Sequence, residues 1–131
     1  MSYRMMVVDD SRVMYQEMVY LLEGSEFEVA HQYQSAEDAL EAYGDLRPDL
    51  VTMDVVLPGM DGLEASRQIL ARDPAARIVL ISSLDYEDIL QKATEIGVAA
   101  CVFKPVPKDL LLRTLRKLTA PHKNSAEKEA D

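Results

Sequence analysis

Apolar residues are spread along this chain in two alternating rhythms. Met5–Val8, Leu50–Met53, Ile78–Ile81 and Ala99–Phe103 are short, almost continuously apolar blocks, as strands covered on both faces are. Between them, apolar positions recur three and four residues apart, which is one face of a helix. Ser11 suits the cap of a first helix running to about Glu23, with Met14, Met18, Leu21 and Leu22 as its stripe and Gly24 as its stop. Ser35-Ala36-Glu37-Asp38 resembles a capping box and opens a second, with Ala39, Leu40 and Tyr43 inward and Gly44 ending it. A third is expected from about Gly62 to Arg72, with Ala65 and Ile69 inward and Asp73-Pro74 as its end. The fourth covers Tyr86 to Ile96, with Ile89, Ala93 and Ile96 on one face and Gly97 beyond it. Pro107 suits the first turn of a fifth, whose stripe is Leu111, Leu115 and Leu118.

One segment follows a different rule. Phe27, Val29, His31 and Tyr33 alternate with Glu26, Glu28 and Gln32, the pattern of a half-exposed edge strand. Strands alternating with helices predict an α/β fold, a doubly wound five-stranded parallel sheet with helices on both faces. Residues 1–119 are read as the folded unit. Residues 120–131 carry no apolar periodicity and are read as a flexible C-terminal tail or linker.

Composition narrows the function classes. A chain of 131 residues is enough for one domain with a sizeable core. The net charge of −9 argues against direct binding of nucleic acid or an anionic membrane. No apolar run approaches spanning length, and Met1–Arg4 leading straight into the first strand is read as carrying no signal peptide. The single cysteine, Cys101, excludes an internal disulfide and fits a reducing, cytoplasmic setting.

The chemistry lies where strands stop. The first ends at Asp9-Asp10, the central one at Asp54, the fourth at Ser82-Ser83 and the fifth at Lys104. In a parallel sheet these ends share one rim, the side on which open α/β sheets bind ligands. Three carboxylates gathered there repel one another, and a dication relieves the repulsion. Oxygen ligands with positions left for water suit Mg²⁺. A free aspartate has a pKa near ~4, so Asp54 would be ionised and nucleophilic without a general base. A phosphoryl group is its natural electrophile, with the metal and Lys104 neutralising charge and Ser82 donating a hydrogen bond.

These motifs together resemble the receiver domain of two-component response regulators, the family that includes the chemotaxis regulators. Asp9-Asp10, the block from Met53 to Gly62, Ser82-Ser83 and Lys104-Pro105 carry the resemblance, which covers about Arg4 to Leu118. The resemblance implies the flavodoxin-like strand order 2-1-3-4-5. The resemblance implies that Asp54 accepts a phosphoryl group. It implies that Asp10, Asp54 and the Val56 carbonyl bind Mg²⁺ directly, with Asp9 acting largely through water. Lys104 and Ser82 would engage the phosphoryl group, helped by the backbone amides of Val55 and Ser83. The Lys104–Pro105 peptide is expected to be cis.

The implied function is a phosphorylation-dependent switch rather than an enzyme. Its donor would be a sensor histidine kinase or phosphotransfer protein, and its target a downstream protein or output domain. The fourth and fifth helices would form the output face, with a homodimer through them as one outcome and Leu90, Val106 and Leu112 as its apolar candidates. Three features stand out, two against rivals and one against the pattern. An aspartyl-phosphate hydrolase would carry an aspartate two residues after its nucleophile, where this chain has Val56. A flavin or nucleotide module would open on a phosphate loop, where this chain has Asp9-Asp10. The family's usual aromatic three residues before the lysine is replaced by Cys101, with Phe103 read as core.

Overall fold

In the computed structural model, which describes residues 2–84 and 86–120, strands and helices alternate throughout. They are β1 (Tyr3–Val8), α1 (Arg12–Leu22), β2 (Phe27–Tyr33), α2 (Ala36–Leu46), β3 (Leu50–Asp54), α3 (Gly62–Arg72), β4 (Ile78–Ser82), α4 (Tyr86–Ile96), β5 (Ala100–Phe103) and α5 (Lys108–Leu118). The strands form one parallel sheet in the order β2-β1-β3-β4-β5. The expected tail, Ala120 aside, lies outside the described residues.

Each strand sends alternate residues to opposite faces, so the apolar blocks feed two cores. Met6, Val8, Val51, Met53, Ile78 and Leu80 meet α2, α3 and α4 on one face. Met5, Val7, Leu50, Val79, Ile81 and Val102 meet α1 and α5 on the other. Burial on both sides explains why these strands read as continuous apolar runs.

Four expectations need correction. The alternation in β2 does not hold to one face. A register shift opposite Met5 and Met6 pairs Met5 with Val29 but Met6 with His31. Phe27 and Val29 therefore pack on the α1/α5 side, whereas Tyr33 packs on the α2–α4 side. A bulge inserts one residue, and one residue turns a strand over. Second, Gly44 does not end α2. The helix runs on to Leu46, which packs against the core, and closes at Arg47 in the left-handed region with φ 44°. Pro48 disfavours helical geometry at the residue before it, so the helix stops there. Third, Val106 is buried and Leu112 half-buried, both against the α1/α5 core, so Val106 offers no apolar surface and Leu112 only part of what was expected. Pro107 stands just outside α5 as its cap rather than within the first turn.

Side-chain caps set the helix starts. The Ser11 hydroxyl accepts from the Met14 amide at 3.2 Å, and Asp61 accepts from the Glu64 amide at 2.8 Å. At the opposite end of the sheet, Arg116 of α5 forks onto Glu26 with two bonds of 2.9 Å. That guanidinium holds the Glu26 carboxyl down at about 2.

Candidate functional site

The register brings the polar strand ends together. Val8 pairs with Met53, Asp54 with Ile81 and Ser82 with Phe103. Asp9, Asp54, Ser82 and Lys104 are thus the next residues along one rim. Asp9 is fixed twice: its amide donates to the Tyr33 carbonyl, and its Oδ1 accepts from the Ser11 amide at 2.9 Å. Asp9, Asp10 and Asp54 each place a carboxylate oxygen within 4.8 Å of the others. Asp9 and Asp54 are buried, and Asp10 is exposed at the mouth.

Lys104 closes the cluster from the β5 side. Its Nζ lies 3.3 Å from Asp54 Oδ2 and 3.5 Å from Asp9 Oδ2. One ammonium cannot neutralise three carboxylates. Burial raises the Asp54 pKa above its usual value, the Asp9 charge adds to this, and Lys104 opposes it. Every convergent donor is a hard oxygen, and the cluster keeps an open side at Asp10. The residues fit Mg²⁺, which binds through one or two carboxylates and retains water.

Ser82 is fully buried, and its Oγ accepts from the Leu84 amide at 2.9 Å. The backbone behind it is fixed as well, because the Lys104 amide donates to the Ser82 carbonyl at 2.8 Å. The Lys104–Pro105 peptide is cis.

Comparison with known proteins settles the family. The profile of the response regulator receiver domain matches residues 5–116. Chemotaxis protein CheY of Listeria monocytogenes is 32% identical over 87% of this chain and 96% of its own length. CheY of Halobacterium salinarum is 36% identical over 82% of this chain and 89% of its own. The chain belongs to the response regulator receiver domain family. Among solved structures, a LuxR-family response regulator from Aurantimonas sp. SI85-9A1 superposes with a TM-score of 0.84 at 28% identity, covering 100% of both chains. The CheX-CheY-BeF3-Mg complex of Borrelia burgdorferi shares the fold, with a TM-score of 0.85 over 91% of this chain and 90% of that one, at 23% identity.

As a receiver domain the chain is a module of two-component signalling, whose general function is that of a phosphoryl-accepting switch. Within its site the two amides that follow Asp54 have different partners. The Val55 amide is committed to the sheet, donating to the Ile81 carbonyl at 3.1 Å. The neighbouring amide, that of Val56, points at Asp54 Oδ1 from 3.3 Å. The last ladder bond of β3 takes the first amide after Asp54, so the next one is left to face the carboxylate. Ser83 is exposed beside Ser82. Cys101 and Phe103 are half-buried on the α4 side of β5, and burial pushes the Cys101 thiol up. This receiver domain therefore carries a small side chain where its family usually has a ring.

Two contributions went unseen in the sequence. Gly62 lies so close beneath Asp54 that a Cβ there would come within 2.0 Å of the Asp54 backbone oxygen. Its amide also donates to the Val55 carbonyl at 2.9 Å. Asp61-Gly62 signalled only a turn. The second is Glu37 of α2, whose carboxylate accepts from the Met60 amide at 3.1 Å. Glu37 lies 23 residues away along the chain, and no local pattern announces the contact.

Proposed function

We propose that Asp54 accepts a phosphoryl group from a sensor histidine kinase or phosphotransfer protein in a Mg²⁺-dependent reaction. The observation that carries this reading is the ammonium of Lys104 set against two buried carboxylates, with a third at the mouth of the same cluster. Asp10, Asp54 and the Val56 carbonyl would hold the metal directly, with Asp9 behind them through water. The metal would neutralise the carboxylates and draw in phosphoryl oxygens. Lys104, the Ser82 hydroxyl and the amides of Val56 and Ser83 would then hold the group as Asp54 Oδ attacks phosphorus and the donor leaves. Attack needs Asp54 ionised, and the cations favour that form against burial. Residues 1–119 form the switch, which acts in the cytoplasm by changing contacts with a protein target or with a second copy through α4 and α5. No helix among the described residues is long and apolar enough to cross a membrane.

The test is incubation with acetyl phosphate and Mg²⁺, read by intact-protein mass and by hydroxylamine sensitivity. The native protein should gain one acid-stable, hydroxylamine-labile phosphoryl group. Asp54→Asn should gain none, and labelling of that variant at the native level would overturn the assignment.

A further inference from the structure

We propose that Glu37 is a positioning residue for the loop that follows Asp54, and through that loop for the metal. The part concerning the metal rests on the reading of the Val56 carbonyl as a ligand.

The connection between β3 and α3 is anchored at both ends. Val55 donates to Ile81 and accepts from Gly62, with bonds of 3.1 and 2.9 Å. Asp61 caps α3. The stretch between, Val56 to Met60, carries the proposed metal ligand. Its amide bonds, among the described residues, are that of Val56 to Asp54 Oδ1 and that of Met60 to Glu37 Oε2. The second is the one that reaches outside the connection itself. Gly59 turns the chain with φ +76°, and a Cβ there would lie 2.6 Å from Glu37 Oε2. The carboxylate thus sits against the inside of the turn, filling the place a side chain would need.

Glu37 is well placed to act as a fixed post. It occupies the first turn of α2, just after the Ser35 cap. Ala36 and Ala39 on either side are fully buried in the core. The helix N-terminus favours a negative charge there. The Met60 amide holds the carboxyl below its usual range, so the acceptor is ionised at neutral pH. Pro58 stiffens the arc between the two anchors. With Met60 tethered, Val56 is held between two fixed points, and its carbonyl is presented rather than searched for. Partners of this indirect kind, which orient a ligand without touching the metal, commonly change metal affinity by about 10- to 100-fold.

The experiment compares the native protein with Glu37→Ala and Glu37→Gln. The glutamine keeps a carbonyl acceptor of the same reach and removes the charge. Amide exchange in the metal-free proteins reads the tether. Protection at Met60 should fall about fivefold in Glu37→Ala, the loss of one hydrogen bond, and return in Glu37→Gln. Titration calorimetry with Mg²⁺ reads the ligand. The dissociation constant should rise about tenfold in Glu37→Ala and recover in Glu37→Gln. Native exchange and native affinity in Glu37→Ala would overturn the proposal. So would a Glu37→Gln variant as impaired as the alanine, which would mean that charge rather than the tether matters. A native protein that binds no Mg²⁺ would instead refute the reading of the site and the metal half of the proposal, while the exchange data would still decide the tether.

Discussion

Asp54 sits between opposing influences, and their balance can be read as stability. Burial and the Asp9 charge favour its protonated form, while Lys104 favours the ionised one, and the first two win. A carboxyl whose pKa is raised on folding binds its proton more tightly in the folded state. Stability from this group is therefore present at low pH and is lost as pH rises from the ordinary aspartate range through the raised value. Asp54→Asn, neutral at every pH, escapes that loss. Without divalent metal, the variant's melting temperature should exceed the native one at neutral pH, and the gap should shrink as pH falls toward 4. The comparison cancels the other acids, including Glu26 and Glu64, whose shifts run downward. A gap that stays constant with pH would contradict the account. At the rim of the same site, Val56 is 54% and Leu84 46% exposed. Neither can orient water by hydrogen bonding, and both would shield an acyl phosphate formed on Asp54. Decay of the phosphoprotein in Mg²⁺ should be several-fold slower in the native protein than in the double variant Val56→Asn, Leu84→Glu. Equal decay would refute the shielding.

At the scale of elements, the junction of β3 and α3 leaves no room for a side chain at Gly62. Gly62 opens α3 with its Cα beneath the Asp54 carbonyl, and a Cβ would also lie 2.9 Å from the Met53 side chain. Two effects oppose each other in Gly62→Ala. Alanine gains about 1 kcal/mol in helix propensity. Overpacking against backbone that the sheet holds rigid costs about 1–3 kcal/mol or more. A clash at 2.0 Å with a main-chain atom falls at the upper end, so we expect net destabilisation of about 2 kcal/mol, measured by urea unfolding. Gly44→Ala, at a position in α2 where a Cβ meets nothing within 4 Å, should instead stabilise by about 1 kcal/mol. The same two letters exchanged in two helices should move stability in opposite directions.

For the whole molecule, the question is how a change at Asp54 travels. Ser82 holds the Leu84 amide through its Oγ, and β4 leads through this turn into α4. A Ser82 hydroxyl that turns to a phosphoryl group gives up that bond, and the turn must repack. Cys101, smaller than the ring usual in the family, cannot fill the vacated space, so movement should concentrate in the turn and in α4. There Leu90 is 38% exposed. Amide exchange with and without acetyl phosphate in Mg²⁺ should show its largest changes from Ser83 through α4. Changes confined to α1 and α2 would contradict this route.

The sequence by itself determined the alternation of strands and helices, and through it the rim of the site. Continuous apolar blocks have one good home, a strand covered on both faces. Once such strands are parallel, Asp9, Asp54, Ser82 and Lys104 share an edge whatever the helices do. Ser11 and Ser35 marked their helix starts because capping is a contact within three residues. Where the outcome depended on partners remote along the chain, only the tertiary structure decided it. The bulge in β2 answers to β1, and it turned over an alternation that looked regular. Leu46 carried α2 past Gly44 because the core had room for it. Val106 and Leu112 were drawn inward by the α1/α5 core. The choice of Val56 over Val55 as the amide facing Asp54 depended on where β4 takes its last ladder bond. Glu37 met Met60 only because α2 and the β3–α3 connection are neighbours in space. Local spacing fixes which residues face the same way. Which of their hydrogen bonds remain unspent is settled only when the neighbouring strand and helix are in place.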